Sequence, residues 1–403
     1  MSQLRVLILS HDYPPRGGGI ASFTYYLANA LSGKGISVTV MAGSPPGTMK
    51  ESVLANPTVK KNLEVIRIPR MNLPPSPVWY QTMNLNKLRC LISDFDIVHS
   101  QDQTSFPIIC YCKKDNPRIP WVVTVHGSPV SELYYAMKSV ASGESEVREF
   151  LTYVIGFPLW DLGIRVEAKL ADALVPVSQE ICEEIREEYR VDEKKLFTIH
   201  NGVNVAELEN IARANANHQS KTEVVNLFYA GRLYWRKGIL HLLKSLACMT
   251  VNFGFTGYRL EVFGEGPLKR RISSLVSKFG LEKNVKLRGF VTRQELVSAM
   301  ARSDIVCVPS LYEACPVAMI EAMVLARPVV AFSRPFSREL LSGIPHAAMA
   351  RSIEDYAARL YSLCTSEDLR TELGRRLRKQ ALDRFDMEKI AEKYIQLYSN
   401  LLS

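Results

Sequence analysis

The sequence predicts an α/β protein built from two tandem doubly wound units, and three observations carry that reading. At 403 residues the chain is too long for one ordinary core. Short β-rich runs alternate with helical patterns, and the alternation starts again near residue 226. Between the two series lies the polar stretch ANANHQSKTE, residues 214–223, without apolar period, which reads as an interdomain linker.

The first series has strands at residues 5–9, 37–41, 63–68, 97–100, 121–125 and 173–177, with a helix at 20–32. The second has strands at 226–230, 260–263, 285–287, 305–308 and 329–332 and helices at 239–249 and 268–279. Thr292-Arg-Gln-Glu295 is a capping box that starts a helix running to about Arg302. A further helix starts near Pro316, a residue suited to a first helical position, and Arg327-Pro328 ends it. Strands separated by helices imply parallel sheets, and two such units in tandem imply a cleft between their carboxyl-end loops. The last segment, residues 387–402, is helical with an apolar stripe of Ile390, Ala391, Tyr394, Ile395 and Tyr398 that must dock somewhere.

Composition narrows the class. With 47% apolar and 23% charged residues the chain reads as globular. Met-Ser-Gln leads straight into a strand, and the longest nearly apolar run, 150–160, is interrupted by Thr, Gly and Pro, so neither a leader nor a membrane span is expected. That run, containing YVIGFPLW, is either a lipid-facing patch or a packed domain face. Eight scattered cysteines without zinc-ligand spacing read as reduced, mostly buried thiols of a cytoplasmic protein. The net charge of +9 is spread along the chain without an aromatic-basic run, so nucleic acid is not the expected partner. Phosphorylated substrates or an anionic membrane surface fit it equally well.

The loop HDYPPRGGGI, residues 11–20, ends the first strand, and its glycines let backbone N–H groups approach an anion or a sugar at a helix N-terminus. It also fits an ordinary Gly-rich surface turn. The pairs Gly17-x-Gly19 and Gly264-x-Gly266 both follow strands, but the strand after the first loop ends VMAGS without the acidic residue that a dinucleotide fingerprint requires. In the second half, Gly231-Arg232 follows a strand and Arg236-Lys237-Gly238 opens a helix, which outlines a diphosphate clamp or else a solvated basic turn. Glu313 lies in the loop before the helix that carries Glu321, so the two can reach one ligand from two sides without sharing a proton. Glutamates near a helix start are also favoured simply by the dipole. Neither side chain is expected to be a core member. His99, His200 and His241 read as structural.

Taken together, PPRGGGIASFTYYLANALSGKGISVTVMA, DIVHSQD, VVTVHG, VPVSQ, IHNGVN, AGRLYWRKG, VFGEGP, LRGFV and YEACPVAMIEAM resemble, in order, the motifs of the retaining glycosyltransferases of family 4, group 1. Glu313 and Glu321 match the family's E-x7-E pattern. The resemblance implies the GT-B fold: two Rossmann-like domains facing each other across a cleft, with a C-terminal helix returning towards the N-terminal domain. Residues 1–213 would be the acceptor side, 214–223 the linker, 224–386 the nucleotide-sugar domain and 387–403 the crossover helix.

The implied activity is retaining, hexosyl-type transfer from a UDP- or GDP-sugar to a glycan, lipid-linked or small-molecule acceptor. Arg232 and Lys237 would hold the diphosphate, Glu321 the ribose and Glu313 a hydroxyl of the donor sugar. The backbone around Arg288, Gly289 and Phe290 would frame the base, and His126 would line the cleft near the reacting carbon. Gly18, Gly19, Gly264, Gly266, Cys315, Pro316 and Val317 complete the implied donor-binding set. No DxD-type metal site stands in a matching position, so no metal or other cofactor is expected, and the nucleotide sugar is a substrate. Where the family commonly has glycine after its first glutamate, Ala314-Cys315 stands here, and Leu325-Ala326-Arg327 replaces a Gly-containing helix end. A silent nucleotide-sugar-binding subunit and another GT-B enzyme, such as an epimerase, are the alternatives.

Overall fold

A computed structural model describes residues 3–15, 18–44, 62–68, 85–101, 105–143, 147–214, 224–344 and 349–403. The proposed linker, from residue 215 onward, and Gly17 lie outside the described residues. The chain divides into two compact units: residues 1–134, 151–203 and 387–403 form one, and residues 135–150 and 204–386 the other.

The first unit has six parallel strands, β1 (Arg5–Ser10), β2 (Ser37–Gly43), β3 (Leu63–Ile68), β4 (Ile97–Ser100), β5 (Trp121–Val125) and β6 (Ala173–Pro176), ordered β3-β2-β1-β4-β5-β6. Central strands β1, β4 and β5 are buried along almost their whole length and rich in Val, Ile and Leu because helices cover both faces of a parallel sheet. The second unit repeats the topology with β7 (Val225–Ala230), β8 (Tyr258–Phe263), β9 (Val285–Gly289), β10 (Ile305–Val308), β11 (Val329–Phe332) and β12 (Met349–Ala350), ordered β12-β11-β10-β7-β8-β9. In each unit the strand order reverses beside the first strand, between β1 and β4 and between β7 and β10. Loops leaving the carboxyl ends of such a pair diverge and open a ligand crevice.

The C-terminal helix Met387–Leu402 belongs to the first unit, where it packs on the helix Gly19–Gly33. Its buried residues are Met387, Ile390, Ala391, Tyr394, Leu397 and Tyr398, so the expected stripe docks, with Ile395 at its half-buried margin. Gly202 makes room for the helix, since a Cβ there would stand 2.8 Å from Ile390 Cγ1. Met387 N donates to Val203 O at 3.0 Å. Lys34 Nζ reaches Glu392 Oε1 at 2.8 Å from the other helix.

The run 150–160 lies in the helix Val147–Leu170, whose Leu151, Val154, Ile155 and Leu162 are exposed rather than packed. No helix of the described residues is long and apolar enough to cross a membrane. None of the eight cysteines is in a disulfide, but only Cys112, Cys307, Cys315 and Cys364 are buried, so burial is less general than expected.

Candidate functional site

The densest chemistry sits at the reversal point of the second sheet. After β7 the chain runs Gly231-Arg232 and, one 3-10 turn later, reaches Lys237 and Gly238, the residue that caps the helix Ile239–Phe253. After β10 it runs Pro309-Ser310 to Glu313. The two loops touch through backbone: a Cβ on Gly238, at φ 67°, would stand 1.8 Å from Pro309 O, and Leu311 N donates to Arg236 O at 2.8 Å. Only glycine permits this approach.

That contact brings Lys237 and Glu313 into a direct ion pair, Nζ to Oε1, and Ser310 Oγ donates to the same carboxylate oxygen at 3.0 Å. Exposures of 26% and 11% leave both side chains reachable from solvent but mostly enclosed. Arg232, on the same loop as Lys237, is exposed, its guanidinium 5.5 Å from the Tyr234 ring centroid, with no ion-pair partner among the described residues. Behind Gly231 the Tyr229 hydroxyl is buried, and burial with the nearby Glu313 charge raises its pKa. Tyr312, next to Glu313, is buried and stacks on Tyr135, centroids 4.9 Å apart.

The third loop of this end, after β8, explains the second glycine pair. A Cβ on Gly264, at φ 126°, would stand 2.0 Å from Gly231 O, and one on Gly266 would stand 2.4 Å from Leu233 O. The pair therefore serves to seat the β8 loop on the β7 loop that carries Arg232 and Lys237. Gly264 N also donates to Gly289 O at 2.8 Å, fixing the end of β9. The Arg288 side chain is turned away to Glu261, whose carboxylate its Nε meets at 2.7 Å. Phe290 is 69% exposed, a free aromatic face beside this loop.

Glu321 has different surroundings. The capping box forms as expected, Glu295 N donating to Thr292 Oγ1 at 3.3 Å and Thr292 N to Glu295 Oε2 at 2.8 Å. It fixes the start of the helix Arg293–Arg302 and so places Arg293, whose guanidinium meets Glu321 Oε1 at 2.5 Å and Glu207 Oε1 at 3.7 Å. Glu321 is only 4% exposed, which corrects the expectation that neither glutamate is a core member; Glu313 alone fits it. The helix Val317–Val324 is short and sits on its own core, so its fifth residue cannot reach solvent freely. Burial raises the Glu321 pKa, and Arg293 opposes that shift.

Pro316 is the N-cap of this helix rather than its first residue, Cys315 before it is buried and Val317 is half-buried. At the other end Ala326 takes φ 54°, a conformation that glycine adopts more easily. Its carbonyl is accommodated by Gly374, where a Cβ would stand 2.2 Å away.

In the first unit, Gly18 caps the helix Gly19–Gly33 with φ 143°, and a Cβ on Gly18 or Gly19 would meet nothing within 4 Å. These glycines, unlike Gly264 and Gly266, border open space. His126 follows β5. Its ring lies edge-on to Phe23, centroids 5.3 Å apart, and its Nε2 is 3.4 Å from Gln101 Oε1. Burial lowers its pKa to about 3, so the imidazole is neutral at physiological pH. Ser310, Tyr229, Arg293 and Gln101 escaped the sequence reading. Only Ser310, three residues before Glu313, offered a local signal.

The profile of Glycosyltransferase Family 4 matches residues 17–207, and that of Glycosyl transferases group 1 matches residues 210–380. An uncharacterized glycosyltransferase of Methanocaldococcus jannaschii is 23% identical over 344 residues, covering 82% of this chain and 80% of its own. The glycogen synthase of Mycobacterium tuberculosis is 22% identical over 414 residues, covering 98% and 94%. Among solved structures, sucrose-phosphate synthase from Thermosynechococcus elongatus superposes with a TM-score of 0.75 at 19% identity, over 99% of both chains. Anabaena HepE in complex with UDP and glucose gives 0.74 at 16% identity, over 99% of this chain and 100% of that one. The fold is GT-B.

Proposed function

The chain belongs to the glycosyltransferases of family 4, group 1, and from that premise we propose that it is a retaining, metal-independent hexosyltransferase using a UDP- or GDP-sugar. The observation that carries the reading is the Lys237–Glu313 pair at the reversal point of the second sheet. A cation and an anion held side by side suit a donor that has an anionic diphosphate next to a hydroxyl-bearing sugar. Lys237 and Arg232 take the diphosphate, where negative charge develops as the glycosidic bond loosens, and so stabilise the leaving group without a divalent ion. Glu313 accepts from a sugar hydroxyl and steadies positive charge growing on the ring. Buried Glu321, oriented by Arg293, takes the ribose, and exposed Phe290 offers a face to the base. Neutral His126 lines the position of the reacting carbon. The UDP found with HepE and with a Staphylococcus aureus relative favours uridine over guanosine as the base. The acceptor is a glycan or a lipid-linked sugar.

The test is nucleotide release from a panel of UDP-, GDP- and ADP-sugars, with and without a lipid-linked acceptor and with EDTA. Turnover of one UDP- or GDP-sugar that survives chelation is expected, and Lys237→Ala should weaken nucleoside diphosphate binding more than nucleoside binding. Loss on chelation, restored by manganese, would remove metal independence. Tight binding without turnover of any donor would establish the silent subunit, the alternative to which the Ala314-Cys315 departure points.

A further inference from the structure

One edge of the second sheet departs from the pattern of its core. In a parallel sheet both faces are ordinarily apolar, since helices cover them. β8 alternates instead: Tyr258, Leu260 and Val262 are buried, while Arg259 is exposed and Glu261 half-buried. β9, the edge strand, does the same, with Val285 buried and Lys286 and Arg288 exposed. The register pairs Glu261 with Lys286, so Arg259, Glu261, Lys286 and Arg288 share one face. Lys283 joins them from the turn before β9. Asn284 holds that turn, its Nδ2 donating to Tyr258 O at 2.7 Å and to Thr256 O at 2.9 Å. Arg259, Lys283, Lys286 and Arg288, with Glu282 and Asn284, line a hollow of about 320 Å³.

The charges in this hollow do not cancel. Arg288 is neutralised by Glu261, which its Nε meets at 2.7 Å. Glu282 is engaged locally: hydrogen bonds from its own backbone N–H and from the Ser277 hydroxyl hold its carboxyl below the usual range. Arg259, Lys283 and Lys286 have no ion-pair partner among the described residues. Three cations therefore stand against one carboxylate, an excess of two positive charges. A lysine on an edge strand can serve simply to discourage pairing with another sheet. That accounts for Lys286, but not for Arg259, whose strand has neighbours on both sides, nor for Lys283 on the turn. Like charges gathered around a concavity focus their field into it, and an anion bound there relieves their repulsion.

We propose that Arg259, Lys283 and Lys286 form a phosphate-binding site separate from the Arg232 and Lys237 clamp, and that it takes a doubly charged phosphate monoester or a diphosphate. Arg259 begins β8 while Gly264 follows its end, roughly 16 Å further along an extended strand. The two groups of cations thus lie towards opposite ends of the strands, too far apart for one diphosphate to meet both. The phosphate can belong to a soluble metabolite or to a lipid headgroup, and the site does not depend on the donor assigned above.

The test is calorimetric titration of the full-length protein with inorganic diphosphate, with and without excess UDP. Beside it runs co-sedimentation with vesicles of phosphatidylcholine, alone or mixed with phosphatidic acid. Diphosphate is expected to bind a site that excess UDP does not block. Lys286→Gln should weaken that binding about tenfold, the effect of one charge-assisted hydrogen bond, and Arg259→Gln, Lys283→Gln and Lys286→Gln together should abolish it. Lys138→Gln, Lys379→Gln and Lys393→Gln together remove the same charge from exposed positions elsewhere and should leave it intact. An unchanged Tm checks that each variant is folded, and the single variants carry the test if the triple variant is not. Diphosphate binding that only the hollow's variants lose identifies a soluble ligand. Sedimentation with phosphatidic acid that only those variants lose, without diphosphate binding, identifies a headgroup. Equal losses in the two triple variants, or no binding of either probe by the wild type, would overturn the proposal. If UDP itself does not bind, the donor reading falls, while a loss confined to the hollow's variants still establishes this site.

Discussion

Replacing Arg293 by methionine keeps an unbranched stem but removes the cation that meets Glu321 at 2.5 Å, its only ion-pair partner among the described residues. Glu207 loses the same partner, but its side chain is 30% exposed and stays hydrated, so the penalty falls on Glu321. Breaking a buried pair from one side costs about 3–5 kcal/mol. Part of it is avoided if Glu321 binds a proton, and this makes the deficit depend on pH. Burial already raises the Glu321 pKa above 4.5, and losing Arg293 raises it further. Between 4.5 and the raised value the folded variant binds more protons than the unfolded chain, so stability falls as pH rises through that window. The assay is amide exchange, followed by mass spectrometry, of the peptide spanning the helix Val317–Val324. At pH 8 its protection should fall by roughly a hundred- to several-thousand-fold, since about 1.4 kcal/mol is tenfold. At pH 5 most of that loss should disappear, and Arg293→Met combined with Glu321→Gln should recover protection at both. A deficit equal at both pH values and not rescued by the double variant would refute the argument.

Two further predictions concern the site. Glu313→Gln should lower kcat by about two to three orders of magnitude, a charge-assisted contact worth roughly 3–4 kcal/mol in the transition state, while Glu321→Gln should mainly raise the donor KM. Steady-state kinetics decides, and the same pattern for both would displace Glu313 from the reacting sugar. Gly238→Ala would drive a Cβ into Pro309 O, so the β7 and β10 loops must part, lowering Tm at a cost of about 1–3 kcal/mol and weakening UDP binding. Gly19→Ala, which meets nothing, should leave Tm unchanged yet lower kcat/KM, and equal behaviour of the two variants by calorimetry and kinetics would contradict their separate roles.

By itself the sequence determined the local structure of this protein and the types of residue at its site. Continuous β-branched runs such as VVTV, separated by helical patterns, specify strands buried on both faces, and Thr292-Arg-Gln-Glu295 specifies a helix start that the structure reproduces. These signals lie within a few residues, so no tertiary context is needed to read them. The E-x7-E spacing and the RLYWRKG loop were legible for the same reason. What they touch was decided only by the fold. Lys237 meets Glu313 across a separation of 76 residues because β7 and β10 are neighbours, and strand order is set by the packing of whole helices. Glu321 is buried and paired with Arg293 because the capped helix brings that guanidinium to it, a placement no spacing announces. Gly264 and Gly266 looked like groups for a ligand, yet they lie against backbone carbonyls, and a glycine shows which use it serves only when its neighbours in space are known. His99, set aside as structural, is linked to Tyr398 across 299 positions. Such a contact depends on where the last helix docks, which the apolar stripe of that helix demanded but could not locate.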